Sequence, residues 1–151
     1  MVRELAESIG KGAVAGFAGT VAMTVSSTVE QKLRRRPPSA APARAAERVL
    51  GIESFESDAT EERFSNLVHW GYGTGWGIVR GLLRAVGFAP QAATALHLAA
   101  VWGTEQVMLP TLDVAPPLFT WGGREIAIDL WHHVVYAVAT GVAYDLVEGG
   151  D

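Results

Sequence analysis

Five side chains near the C-terminus of this 151-residue sequence, Glu125, Asp129, His132, Tyr136 and Thr140, recur at spacings of four or three. On a helix such spacing sets them in one polar stripe. His133 stands beside His132 and one turn after Asp129. Upstream, His97 and Glu105 fall on helix faces about 80° apart at ideal pitch. His69 lies in an earlier apolar run, and Glu30 closes the first one.

These residue types suit three chemistries. His69, His97 and His132 alternating with carboxylates suit a proton or ion path, because an imidazole pKa of about 6.5 is moved either way by burial or a nearby carboxylate. A di-metal helical bundle uses paired Glu-x-x-His motifs with further glutamates. Here a single Asp129-x-x-His132 stands in their place, so no metal site is assigned. Haem held between histidines of two helices is open to four histidines, but without cysteine no attachment motif exists and no cofactor is assigned. The structural alternative is that Glu105 or Asp129 pairs with a histidine as interhelical glue, worth about 0.6–2 kcal/mol in a membrane. Ser26 and Ser27 lack a G-x-S-x-G context. GYGTGWG lacks the lysine of a P-loop and the spacing of a Rossmann turn. No catalytic residue is identified.

The elements that must position these groups centre on His69–Gly81, HWGYGTGWGIVRG. Gly73, Gly77 and Gly81 fall one helical turn apart, and residues 64–79 hold no Asp, Glu, Lys or Arg. In water each interior glycine costs a helix roughly 1 kcal/mol against alanine. In a bilayer the backbone must satisfy its own hydrogen bonds, which forces helix, and small residues every fourth position let a neighbour approach closely. Gly12 and Gly16 make a second such pair inside Gly12–Val29, eighteen uncharged residues of which seven are Gly or Ala. That is close to the roughly 20 residues needed to span the hydrocarbon core.

Residues 31–63 read as a polar connection, with Lys32, Arg34, Arg35 and Arg36, then PPSAAPA, then an acidic stretch. Within it, residues 43–50 have helical character with Gly51 as a natural C-cap, and Asp58 or Thr60 reads as the N-cap of the second span's helix. Arg80 and Arg84, near a helix end, are expected to snorkel to the headgroups. Pro90 marks a helix start and Pro110 its end. The last helix, uncharged only over residues 130–144, is the least lipid-like and is expected to be the most buried in protein.

Hydrophobic residues make up 49% and charged residues 19%, and the mean hydropathy is +0.20. Spans joined by a polar connection fit both extremes. A net charge of −4 gives no nucleic-acid footprint. Zero cysteines exclude disulfides and thiolate sites. The opening MVRELAESIGKG is too acidic for a secretory signal peptide, so the apolar run after it is expected to be retained.

The expectation is one all-α domain over 1–151, an integral membrane four-helix bundle with spans near 11–30, 64–84, 90–109 and 125–147. A long polar loop, 31–63, separates helices 1 and 2. The candidate polar path is His69, His97, Glu105, Asp129, His132, His133 and Tyr136. Helix packing falls to Gly12, Gly16, Gly73, Gly77 and Gly81. The lipid bilayer is the expected partner, and the glycine stripes also allow pairing across a homo-oligomer or in a larger membrane complex. The basic residues put the long loop in the cytoplasm.

GxxAGxxGTxAMT in the first span, a Pro-Pro turn after a basic cluster, HWGYGTGWG, and D-x-W-H-H-x-x-Y in the last helix together resemble the YagU-like family of small bacterial inner-membrane proteins. That resemblance implies a multi-pass inner-membrane protein linked to acid tolerance. It transfers no catalytic residues.

Overall fold

The computed structural model describes residues 2–150; Met1 and Asp151, the outermost residues of the expected domain, lie outside them. Five α-helices form: α1 (Val2–Arg34), α2 (Ala41–Leu50), α3 (Asp58–Ala85), α4 (Pro90–Thr111) and α5 (Gly123–Gly149), with a 3₁₀ turn at Leu118–Thr120 before α5. The chain is all-α, but four helices joined by a long polar loop do not describe it. The stretch expected as loop carries α2 and gives its flanks to α1 and α3, leaving irregular chain only at 35–40 and 51–57.

Local chemistry accounts for this. Ala41–Leu50 has Pro42 in its first turn, buries Ala43 and Ala45, and ends at Gly51 in the left-handed conformation (φ 67°), whose N–H bonds the Glu47 carbonyl. Neither Asp58 nor Thr60 caps α3. Ser57 does so from extended backbone, accepting the Thr60 N–H at 3.3 Å. Two prolines after Arg36 stop α1. α4 starts at Pro90 and carries Pro110 within its last turn, one residue further than the sequence suggests.

α1 packs chiefly on α3 and α5, and α4 lies across α5 and α3. The contacts run in opposite senses along each pair. Gly81 meets Ser8, Gly77 meets Gly12, Gly73 meets Thr20 and His69 meets Thr24, so α1 and α3 are antiparallel. Arg34 with Glu125 and Gly19 with Thr140 make α1 and α5 antiparallel. Thr94 with Gly141 and Trp102 with Asp129 do the same for α4 and α5.

The α1–α3 seam exists because its glycines carry no side chain. A Cβ at Gly12 would sit 2.6 Å from the Gly77 carbonyl oxygen, and one at Gly16 would sit 2.7 Å from the Gly77 Cα. Gly71 and Gly75, on another face of α3, would meet nothing.

α1 and α5 are the two helices among the described residues long and apolar enough to cross a membrane, each with a window of mean hydropathy 1.3. This corrects the expectation that α5 is the least lipid-like: its valines, leucines and isoleucines outweigh Asp129 and the charges at its two ends.

Candidate functional site

Polar side chains occupy the interior in three layers. At the end formed by the N-terminus of α1 and the C-terminus of α5 sits Arg80, which is 0% exposed. Its Nη2 donates to Asp145 Oδ1 at 3.0 Å and to the Pro90 carbonyl at 3.3 Å, and its Nε donates to Thr94 Oγ1. The guanidinium lies 5.0 Å from the centre of the Tyr144 ring, in cation–π range. Arg84 pairs with Glu148 at 2.7 Å beside it. Arg80 therefore does not snorkel. It turns inward because a carboxylate from α5 and the Pro90 carbonyl at the start of α4, which also accepts from Thr94 Oγ1, meet it there.

In the middle layer His97 is fully buried and its Nε2 lies 3.0 Å from the Trp76 carbonyl oxygen. A carbonyl only accepts, so Nε2 carries the proton and a neutral ring leaves Nδ1 as a lone pair. The His97 and Tyr136 rings pack with centroids 5.5 Å apart, and the Tyr136 hydroxyl donates to the Gly73 carbonyl at 2.6 Å.

The third layer holds the carboxylates. His133 Nδ1 donates to the backbone carbonyl of Asp129, one turn back, at 2.9 Å. Its Nε2 stands 2.7 Å from Glu105 Oε2 of α4. Trp102 Nε1 donates to Asp129 Oδ2 at 2.8 Å. One ligand atom each from Glu105, Asp129 and His133 falls within 4.8 Å of the others, so this is where a metal ion has donors.

The stripe expected on α5 is thus divided. His132 faces α1, with Nδ1 2.9 Å from Ser26 Oγ and Nε2 3.8 Å from Glu30 Oε2, while Asp129 and His133 face α4. His69 is apart from both: Thr24 gives its proton to the Thr20 carbonyl, so it accepts from His69 Nε2 at 2.9 Å. Glu125 takes two hydrogen bonds from Arg34, at 2.6 and 3.0 Å. Glu30 binds Arg34 and, more closely, Arg36. Hydrogen bonds from Arg34 to Glu125 and then Glu30 raise its pKa further above the ordinary guanidinium value.

Arg80, Asp145, Thr24 and Ser26 are outside the polar set read from the sequence. An arginine and an aspartate toward the ends of two largely apolar helices were the available signal. Reading for Glu-x-x-His misses the Glu105, Asp129 and His133 cluster, because its pair on α5 is spaced four apart and its third member comes from α4.

Comparison with protein-family models, with curated proteins and with solved structures finds no match to this chain.

Proposed function

We propose that this chain is a multi-pass integral protein of the bacterial inner membrane, in which α1, α3, α4 and α5 cross the bilayer and the role is structural or stress-related rather than catalytic. One observation carries this reading: charged and polar side chains are buried among small apolar ones, while the large apolar side chains of α1 and α5 face outward. The largest fully buried side chains are Arg80, Tyr144, His97 and Thr140, while Val14, Phe17, Val21, Val25 and Val29 of α1 and Val138, Val142 and Leu146 of α5 point outward. Water selects the opposite arrangement, with charged residues almost never fully buried. Hydrocarbon selects this one, in which polar groups face the interior and pair there.

α1 and α5 are apolar enough to span unaided. The glycines, tryptophans and histidines of α3 and α4 lower their hydropathy, and His97, Gly73 and Gly77 meet neighbouring helices. The two therefore cross as partners of α1 and α5. The basic cluster from Lys32 to Arg36 marks the cytoplasmic end.

Interhelical glue explains the interior better than conduction does. His97 and Tyr136 each bond a backbone carbonyl of α3, and backbone meets backbone where Gly12 and Gly16 cross Gly77. That contact leaves no room for a file of water between α1 and α3. The resemblance to the YagU-like family supplies acid tolerance as the stress concerned.

Alkaline carbonate washing of membranes from cells expressing the protein tests the proposal. The expected outcome is retention in the pellet, with release by detergent only. Release into the supernatant would reject spanning helices.

A further inference from the structure

We propose that Glu105, Asp129 and His133 form a binding site for one divalent transition-metal ion. The inference stands on the geometry of the third layer and holds whether lipid or water surrounds the helices.

The histidine is set for ligation. Its Nδ1–H is held by the Asp129 carbonyl, which fixes the tautomer and turns the Nε2 lone pair away from α5 toward α4. Ligating imidazoles are oriented by such a bond from their other ring nitrogen. The side chain of His133 is 10% exposed, so Nε2 faces the protein interior more than solvent.

What Nε2 meets is an acceptor. Glu105 Oε2 is closed to solvent and receives no directed hydrogen bond, although Nε2 is only 2.7 Å away. With a proton on Nε2 this contact is an ion pair. A divalent cation takes the place of that proton, which is released to solvent, and both electron pairs then converge on the metal.

Asp129 completes the set. Trp102 donates to Oδ2, so the carboxylate is oriented by a partner on a neighbouring helix and keeps lone pairs to ligate. Charge agrees as well: two carboxylates and a neutral imidazole total −2, which a divalent ion cancels in a region where uncompensated charge is costly. Ligand atoms on an ion bound at about 2.0–2.2 Å stand about 3.3–3.5 Å apart, so the Glu105 contact opens and the wider ones close by side-chain rotation.

One imidazole nitrogen with two carboxylate oxygens suits Zn²⁺, Mn²⁺ or Fe²⁺. An all-oxygen shell, as Ca²⁺ and Mg²⁺ prefer, is absent from this trio. Three protein ligands leave a fourth position for water. The side chains of Glu105 and Asp129, 18% and 22% exposed, mark the side from which an ion enters.

The test uses the full chain, purified, stripped with EDTA, dialysed and titrated with ZnCl₂ by calorimetry, with bound metal counted by mass spectrometry. One Zn²⁺ per chain is expected, together with a higher midpoint of thermal unfolding. Glu105→Gln is isosteric and is expected to weaken binding by more than about tenfold at unchanged helicity. His132→Gln, which faces α1, is expected to bind as the wild type does. Should His133→Gln fail to fold, Glu105→Gln carries the test alone. Less than one equivalent in the wild type, or undiminished binding in Glu105→Gln, overturns the site.

Discussion

Arg80 closes one end of the bundle with a charge that has no access to solvent. Asp145 neutralises it from α5 at 3.0 Å, and Tyr144 lends its ring face. Asp145→Asn keeps the shape of that partner and removes its charge, leaving a buried guanidinium uncompensated. Breaking a fully buried pair costs about 3–5 kcal/mol. The Asp145 side chain is 40% exposed, and water reaching that side reduces the expected loss to about 1–3 kcal/mol. The midpoint of denaturation by SDS, followed by circular dichroism, measures it, and an Asp145→Asn midpoint equal to the wild type would show that the pair is not stabilising. The sequence shows that Arg80 sits in an apolar helix but not which way it points. Its partner is 65 positions away, and their meeting depends on how α3 and α5 are rotated about their axes, which no local pattern encodes. The same holds for His133. Adjacent histidines on a helix point about 100° apart, and only the placement of α4 decides which of the two joins Glu105.

Along α3, two interleaved glycine registers offer a controlled comparison. Gly73, Gly77 and Gly81 lie on α1, whereas Gly71 and Gly75 face open space. A methyl at Gly77 would overlap the backbone of Gly12 and Gly16, and backbone yields only if the two helices separate. Gly77→Ala is therefore expected to destabilise by about 1–3 kcal/mol, as overpacking does. Gly75→Ala is expected to stabilise by up to about 1 kcal/mol through helix propensity alone. Thermal unfolding of the two variants side by side checks the opposite signs, and a loss in both would mean that α3 is sensitive to any added methyl rather than to the seam. Periodicity of this kind is legible in the sequence because it recurs every turn, and so are a proline at a helix start and a glycine after Leu50. α2 is legible as helical character over residues 43–50, but not as a helix packed in the fold. Its ten residues are too few for a helix to form by propensity, and it is held by packing on α3 and α4. The cap at Ser57 was hidden by two better-looking candidates within three residues.

At the scale of the whole molecule, the outward valines separate a protein in lipid from one in water without reference to any ligand. Val138 lies mid-way along α5 and is 50% exposed. In water an exposed valine of this kind tolerates replacement within about 0.5 kcal/mol, since its surroundings are solvent before and after. In a bilayer the same position faces hydrocarbon, and Asp at the centre of a spanning helix costs about 2.5–3.5 kcal/mol on insertion. A cost of that size moves the insertion equilibrium by about a hundredfold. Val138→Asp is thus expected to lower the membrane-integrated fraction sharply, read from carbonate-resistant protein at equal synthesis. Thr140→Val, an inward change of similar size on the same helix, leaves the hydropathy of the outer face untouched and is expected to insert normally. If Val138→Asp accumulates in folded form at the wild-type level, α5 does not face lipid, and a protein surface covers these valines instead.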